Sequence, residues 1–270
     1  MKVELYAQGT PCWVDLSTTD QEAAKSFYAE LFGWTYDDNP MDEAGQNIYS
    51  MAMKGDSYTG AMYTQPEEQR QMGIPPHWMV HIAVDNADEV ASRVESCGGK
   101  IVAGPFDVFD NGRMVFVTDP TGGMVNLWQG KSHAGAGVQY EHGAIGWCEL
   151  LTTDTQAAIG FYTNLLGVES ETAMMPNGVE YTVYMAGEFP VAGTMDMPAD
   201  VREMNIPSHW SVYFYVDDVD ETYGKAMSMG GHEALAPTDI ESVGRLAFAL
   251  DPQGAGFGLI TPLPELGLSG

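Results

Sequence analysis

"PCWVDLSTTDQEAAKSFYAELFGW", Pro11 to Trp34, is written a second time as "IGWCELLTTDTQAAIGFYTNLLGV", Ile145 to Val168. Trp13 answers Trp147, Asp20 answers Asp154, Phe27 and Tyr28 answer Phe161 and Tyr162, and Gly33 answers Gly167, each 134 residues on. Further along, "GIPPHWMVHIAVDN" (Gly73–Asn86) is matched by "NIPSHWSVYFYVDD" (Asn205–Asp218). "GRMVFVTDPTG" (Gly112–Gly122) is matched by "GRLAFALDPQG" (Gly244–Gly254), now 132 residues on. The chain is therefore two copies of one unit, with two residues lost from a loop of the second. The join, "GKSHAGAGVQYEHG" (Gly130–Gly143), is rich in glycine and small residues, as linkers are. The expected division is a first module over 1–131, a linker over 132–140 and a second module over 141–264.

The elements can be read within one copy. "WVDLSTTD" alternates and is a strand. Thr19-Asp20 offers an N-cap to "QEAAKSFYAELFG", whose apolar residues fall at helical spacing before Gly33. "IYSMAM" and "YTGAMY" read as a hairpin about the "KGDS" turn. "HWMVHIAVD" is a strand, "NADEVASRVESCGG" a helix, and "RMVFVTD" and "MVNLW" a final hairpin about "DPTGG". Each copy holds two β-α-β-β-β units. The fold class is α+β: four units in two curved mixed sheets, each built from two units, concave faces forming cavities and helices outside.

Composition narrows the partners. Of 270 residues, 44% are hydrophobic, enough for packed cores. Eleven Lys and Arg against 38 Asp and Glu leave a net charge of −27. That balance argues against nucleic acid, whose phosphates demand cations, and against anionic membrane surfaces. Cys12, Cys97 and Cys148 form no CxxC pair and read as reduced thiols of a cytoplasmic protein. The first residues lack the apolar core of a signal peptide, and no apolar run is long enough to span a bilayer.

The blocks "TTDQEAAKSFYAELFGW", "HIAVDNADEVASRVESCGGK" and "GRMVFVTDPTGG", each present twice, resemble the vicinal oxygen chelate superfamily of glyoxalases, extradiol dioxygenases and bleomycin-resistance proteins. The arrangement is similar to two-module glyoxalase-like proteins of the mycobacterial culture-filtrate antigen kind. The resemblance implies a divalent metal held by His and Glu on the concave face. At the positions it implies, this chain has Trp13 and Trp147, Met79 and Ser211, and Asn126 and Gly258. A fourth falls around Gly60 and Gly193. None is a ligand that Zn²⁺, Ni²⁺, Mn²⁺ or Fe²⁺ favours, so no metal and no other cofactor is expected. A shifted set of His77, His81 and Glu149 would require strands exchanged between modules. It would also require two imidazoles roughly 13 Å apart along one strand to meet one ion.

What remains points to a ligand. His77 and His209 stand at the rim of the middle strand, where an imidazole can contact a bound molecule or move a proton. Asp15 and Glu149 are carboxylates on a face otherwise lined by Trp, Met and Tyr, and a buried carboxylate needs a partner. His77 or His209 with Asp15 or Glu149 are the candidate acid–base pairs. Trp13 and Trp147 offer flat surfaces for an aromatic ligand. Met79, His81, Asn126 and Tyr213 line the same face. Arg113 and Arg245 recur six residues before the DP turn and suit a ligand carboxylate or carbonyl, or else an ion pair. The reading is a glyoxalase-like binder of a small molecule, aromatic or carbonyl-bearing, without the usual metal. It is expected as a monomer with an internal pseudo-two-fold, a dimer remaining open. The alternatives are an atypical lyase or isomerase working through His and carboxylate groups, and an interaction protein with vestigial cavities.

Overall fold

A computed structural model describes residues 1–42 and 44–263, so the expected end of the second module at residue 264 lies outside the described residues. The first half runs β1 (Pro11–Thr18), α1 (Gln21–Phe32), β2 (Thr35–Pro40), β3 (Ile48–Lys54), β4 (Ser57–Thr64), α2 (Glu67–Gln71), β5 (His77–Ala83), α3 (Ala87–Val94), β6 (Lys100–Val108), β7 (Gly112–Thr118) and β8 (Met124–Gly130). The second half repeats it as β9 (Ile145–Thr152), α4 (Thr155–Leu166), β10 (Glu169–Met174), β11 (Glu180–Ala186), β12 (Phe189–Asp196), α5 (Ala199–Glu203), β13 (His209–Tyr215), α6 (Val219–Ser228), β14 (His232–Ile240), β15 (Gly244–Leu250) and β16 (Gly256–Pro262).

Each half closes its own eight-stranded sheet, in the orders β2-β3-β4-β1-β5-β8-β7-β6 and β10-β11-β12-β9-β13-β16-β15-β14. The sheets are mixed. β1 runs parallel to β4 and β5 to β8, while β1 and β5 meet antiparallel at the centre. The strands are therefore not exchanged between halves, and Glu149 never shares a face with His77 or His81. Asp20 caps α1 by accepting from the Ala23 amide, and Gly33 ends it in the left-handed region at φ 72°. Asp154 and Gly167 repeat both devices on α4.

The pleat of β5 sorts its residues. Trp78, Val80 and Ile82 face the helices, while His77, Met79 and His81 face the other way. The helix-bearing sides of the two sheets meet, and the aromatic core lies between them. There Trp78 and Phe214 sit with ring centres 5.2 Å apart, Phe32 and Phe214 5.0 Å, and Tyr28 and Phe257 5.6 Å. Two latches cross this interface. Trp78 Nε1 donates to Tyr28 OH (3.1 Å), which donates to Asp251 of the opposite module (3.1 Å). Trp210 Nε1 donates to Tyr162 OH (2.9 Å), which donates to Asp119 (3.1 Å). The DP turns thus hold the modules together as well as their own hairpins. The helices, expected outside, lie instead between the two sheets, where α1 meets α6 and α3 meets α4, so the groove face of each curved sheet is turned away from the partner module.

Candidate functional site

The floor of the N-terminal groove is built where β1 meets β5. Register sets Trp13 opposite His81 and Asp15 opposite Met79, and β8 adds Asn126 beside His81. His81 Nε2 lies 3.0 Å from Asp15 Oδ2, and Tyr49 OH donates to the same oxygen at 3.1 Å. Trp13 Nε1 donates to Tyr49 OH at 2.8 Å. An ionised carboxylate only accepts, so Nε2 of His81 carries the proton. Its Nδ1 then offers a lone pair, and among the described residues the hydrogen bonds of this pair run through Nε2 and Oδ2, not through Nδ1 or Oδ1. The side chains of His81 and Asp15 keep 6% and 10% of their surface exposed, so the floor is narrow but not sealed. Half-buried Met51, Tyr63, Met114 and Phe116 line the walls.

The linker closes one end. His133 sets its ring edge-on to Trp13, 4.5 Å between centres, and burial lowers its pKa to about 4, with His81 nearby adding to the effect. It is neutral at physiological pH.

The C-terminal groove keeps the plan and changes the chemistry. Glu149 Oε1 accepts from Tyr213 OH at 2.7 Å, Oε2 accepts from Tyr181 OH at 3.0 Å, and Trp147 Nε1 donates to Tyr181 OH at 2.8 Å. Both carboxylate oxygens are occupied. Burial raises the Glu149 pKa, and the two phenols oppose that rise.

Several expected roles need correction. His77 and His209 stand at the groove rims, but each Nδ1 donates back to the carbonyl of Pro75 (2.9 Å) or Pro207 (2.8 Å). Neither pairs with Asp15 or Glu149, because the partner position lies four residues along the strand, at His81 and Tyr213. Arg113 shares a face with Val115 and Val117, the helix side, and pairs with Asp88 and Asp107; Arg245 pairs with Asp220 and Asp239. The sheet separates both guanidinium groups from the grooves, so they grip no ligand there. Trp13 is 3% exposed and covered by Tyr49 and His133, so it presents no free flat surface; Trp147 is half-buried. The position opposite Glu149 is Gly193, and opposite Asp15 it is Ala61, so Gly60 and Gly193 are not equivalent. A surface hollow of about 240 Å³ by Asp154 and Glu180 and a crevice of about 30 Å³ by Trp147 and Cys148 reach neither Asp15 nor Glu149.

The family described as Glyoxalase/Bleomycin resistance protein/Dioxygenase superfamily matches residues 12–127 and again 144–259. The chain belongs to this superfamily. It is 45% identical over 260 residues to the protein named "Putative glyoxylase CFP32" of Mycobacterium tuberculosis, covering 96% of this chain and 97% of that one. It is 35% identical over 266 residues to "Anthracycline biosynthesis protein DnrV" of Streptomyces peucetius, covering 94% of each. Among solved structures, the Mn(II)-bound glyoxalase from Novosphingobium aromaticivorans superposes with a TM-score of 0.62 at 14% identity, covering 94% of this chain and 83% of that one. That likeness is one of fold.

Do the grooves of this superfamily member fit the family's divalent ion? Trp13, Met79 and Asn126 fill the implied positions in one module, and Trp147, Ser211 and Gly258 in the other. Among the described residues no group of three or more His, Cys, Asp or Glu converges. His81 and Asp15 meet each other across a proton, and no third such side chain joins them. These donors do not make the set of three that such an ion takes.

Proposed function

We propose that this superfamily member binds a flat, oxygen-bearing aromatic small molecule in the N-terminal groove, without the family's metal. The Asp15–His81 pair carries this reading. It lies at the floor of a groove walled by half-buried Tyr and Met, and its hydrogen bonds among the described residues use Nε2 and Oδ2, leaving Nδ1 and Oδ1 for a ligand. Apolar walls with a few convergent polar groups are what small-molecule sites are made of. The Streptomyces relative named for anthracycline biosynthesis supports the ligand class, since an anthracycline is a fused-ring hydroxyquinone. Reduced thiols and no helix able to cross a membrane among the described residues accord with a place in the cytoplasm.

The test is a fluorescence titration with 1-hydroxyanthraquinone, read at the tryptophans. Trp13 and Trp128 both border the groove. Saturable quenching is expected, weakened about 2- to 12-fold in Asp15→Asn and in His81→Gln, the span of one hydrogen bond. No saturable quenching, or affinity unchanged in both variants, overturns the reading.

One observation favours a second reading, proton transfer. Asp15 holds the proton of His81 on Nε2, which turns Nδ1 into the acceptor, the arrangement by which a carboxylate fixes a catalytic imidazole's tautomer. A positioned general base of this kind contributes about 10²- to 10⁴-fold. Deuterium exchange at the carbon beside the carbonyl of 1-tetralone, followed by NMR, would be accelerated by the parent and not by His81→Gln. Equal rates would remove this reading and leave binding standing.

A further inference from the structure

The amide of Asn126 is buried in the groove floor, 2% exposed, beside His81 in the register of β5 and β8. The amide is placed with Nδ2 3.3 Å from His81 Nε2 and with Oδ1 buried and unpartnered among the described residues. The proton on His81 argues for the amide turned end for end. Its Nε2 carries the proton that goes to Asp15 at 3.0 Å. An NH₂ facing that N–H would set donor against donor, whereas the amide oxygen there accepts from it. Turned so, the amide leaves its NH₂ as the unpartnered end. A buried donor with nothing to donate to is costly, and its persistence calls for an occupant.

The second module shows that structure alone does not require this residue. Gly258 takes the place of Asn126, and the ring of Tyr213 takes the place of the amide and the imidazole together. There the carboxylate has both oxygens engaged by phenols.

From these contacts we infer that Asn126 is the specificity-determining residue of the N-terminal groove, its amide N–H donating to a ligand carbonyl or quinone oxygen held beside the Asp15–His81 pair. The inference rests on the binding proposed above and adds which group of the ligand is recognised. The amide stands at a position where the family resemblance implies a metal ligand, and supplies a neutral donor where a Lewis acid would otherwise meet an oxygen. It selects a carbonyl over a ring that lacks one, because an apolar edge would leave the N–H buried and unmet.

Two probes of the same ring size separate the outcomes: 1-hydroxyanthraquinone and 1-hydroxyanthracene, which lacks the quinone oxygens. The parent is expected to prefer the quinone. Asn126→Ala should lose about 2- to 12-fold in affinity for the quinone and little for the hydroxyanthracene, so that the preference collapses. Asn126→Gly, the residue the second module already accommodates, gives the same readout should the alanine variant fold poorly. If both probes weaken equally, Asn126 only shapes the groove and the assignment is wrong, while the binding reading stands. If the parent binds neither probe, the binding reading fails and the assignment falls with it.

Discussion

Gly258 lies directly against the ring of Tyr213: a Cβ on residue 258 would stand 2.1 Å from Tyr213 Cδ1. The two residues are register partners on adjacent parallel strands, as His81 and Asn126 are in the first module. The modules have therefore exchanged side-chain volume as pairs. A large ring with no side chain beside it replaces a smaller ring with an amide beside it. Gly193 makes the same allowance for Tyr181, whose hydroxyl would lie 1.9 Å from an added Cβ.

Gly258→Ala should therefore destabilise the C-terminal module by the about 1–3 kcal/mol of an overpacked core. For a chain of this size that lowers Tm by roughly 2–4 °C per kcal/mol. In a Tyr213→His background the same alanine should cost clearly less, since the smaller ring leaves room. Thermal melts of the two singles and the double variant decide it. Equal costs in both backgrounds would show that Tyr213 is not what Gly258 makes way for.

The duplication, the capped helices and the two-sheet plan were legible in the sequence because they rest on local signals repeated twice. Asp20 with Gly33 and Asp154 with Gly167 bracket their helices in the sequence and in the structure alike. The floor of the groove was legible only in part. Asp15, Glu149, His81 and Tyr213 fall on the expected face because alternation along a strand fixes it. What alternation does not give is which strands lie side by side, and that choice makes Asp15 the partner of His81 rather than of His77. Tyr49 and Tyr181 were missed although they repeat 132 residues apart, because a tyrosine in a half-buried strand reads as wall rather than as donor. His133 carries no repeat signal at all, since it comes from the linker. The exposed strands β2 and β6 escaped for a related reason: edge strands bury too little to show a pattern.

The reciprocal latches predict a second stability effect. Tyr28→Phe removes the hydroxyl that accepts from Trp78 and donates to Asp251, leaving a buried indole N–H unpaired. Tyr162→Phe does the same to Trp210 and Asp119. Each should cost about 1–3 kcal/mol, the penalty of a stranded buried polar group, with no change in groove chemistry. Urea denaturation of the single variants tests this, and a loss below about 0.5 kcal/mol in both would mean that the latches are not structural.

The three cysteines should separate by reactivity. Cys12 and Cys148 are buried, and burial is the main cause raising both thiols well above the ordinary range, so neither supplies thiolate at neutral pH. Cys97, after α3, is only partly buried. An aromatic disulfide reagent at pH 8 is expected to titrate one thiol per native chain and three once the chain is unfolded. Peptide mapping that finds Cys12 or Cys148 modified in the native protein would contradict the burial.

Glu149 makes stability depend on pH in a direction opposite to that of a salt-bridged carboxylate. Burial raises its folded-state pKa above the ordinary value of 4.5, while the phenols of Tyr213 and Tyr181 only moderate the rise. Between those two values the unfolded chain has released the proton and the folded chain retains it. The folded state then binds more protons, so stability falls as pH increases through that window. The contribution is fully present below the unfolded pKa and is lost as pH climbs through the folded one. Glu149→Gln keeps the shape and one donor–acceptor pair with the tyrosines, and it removes the titration. The parent should therefore lose stability relative to Glu149→Gln as pH is raised from about 4 towards neutrality, and the two should differ by a constant amount beyond the folded pKa. Guanidinium denaturation of both proteins across that range measures the difference directly. If the parent instead gains on the variant as pH rises, Glu149 is held as an anion by its two phenols and the burial argument is wrong.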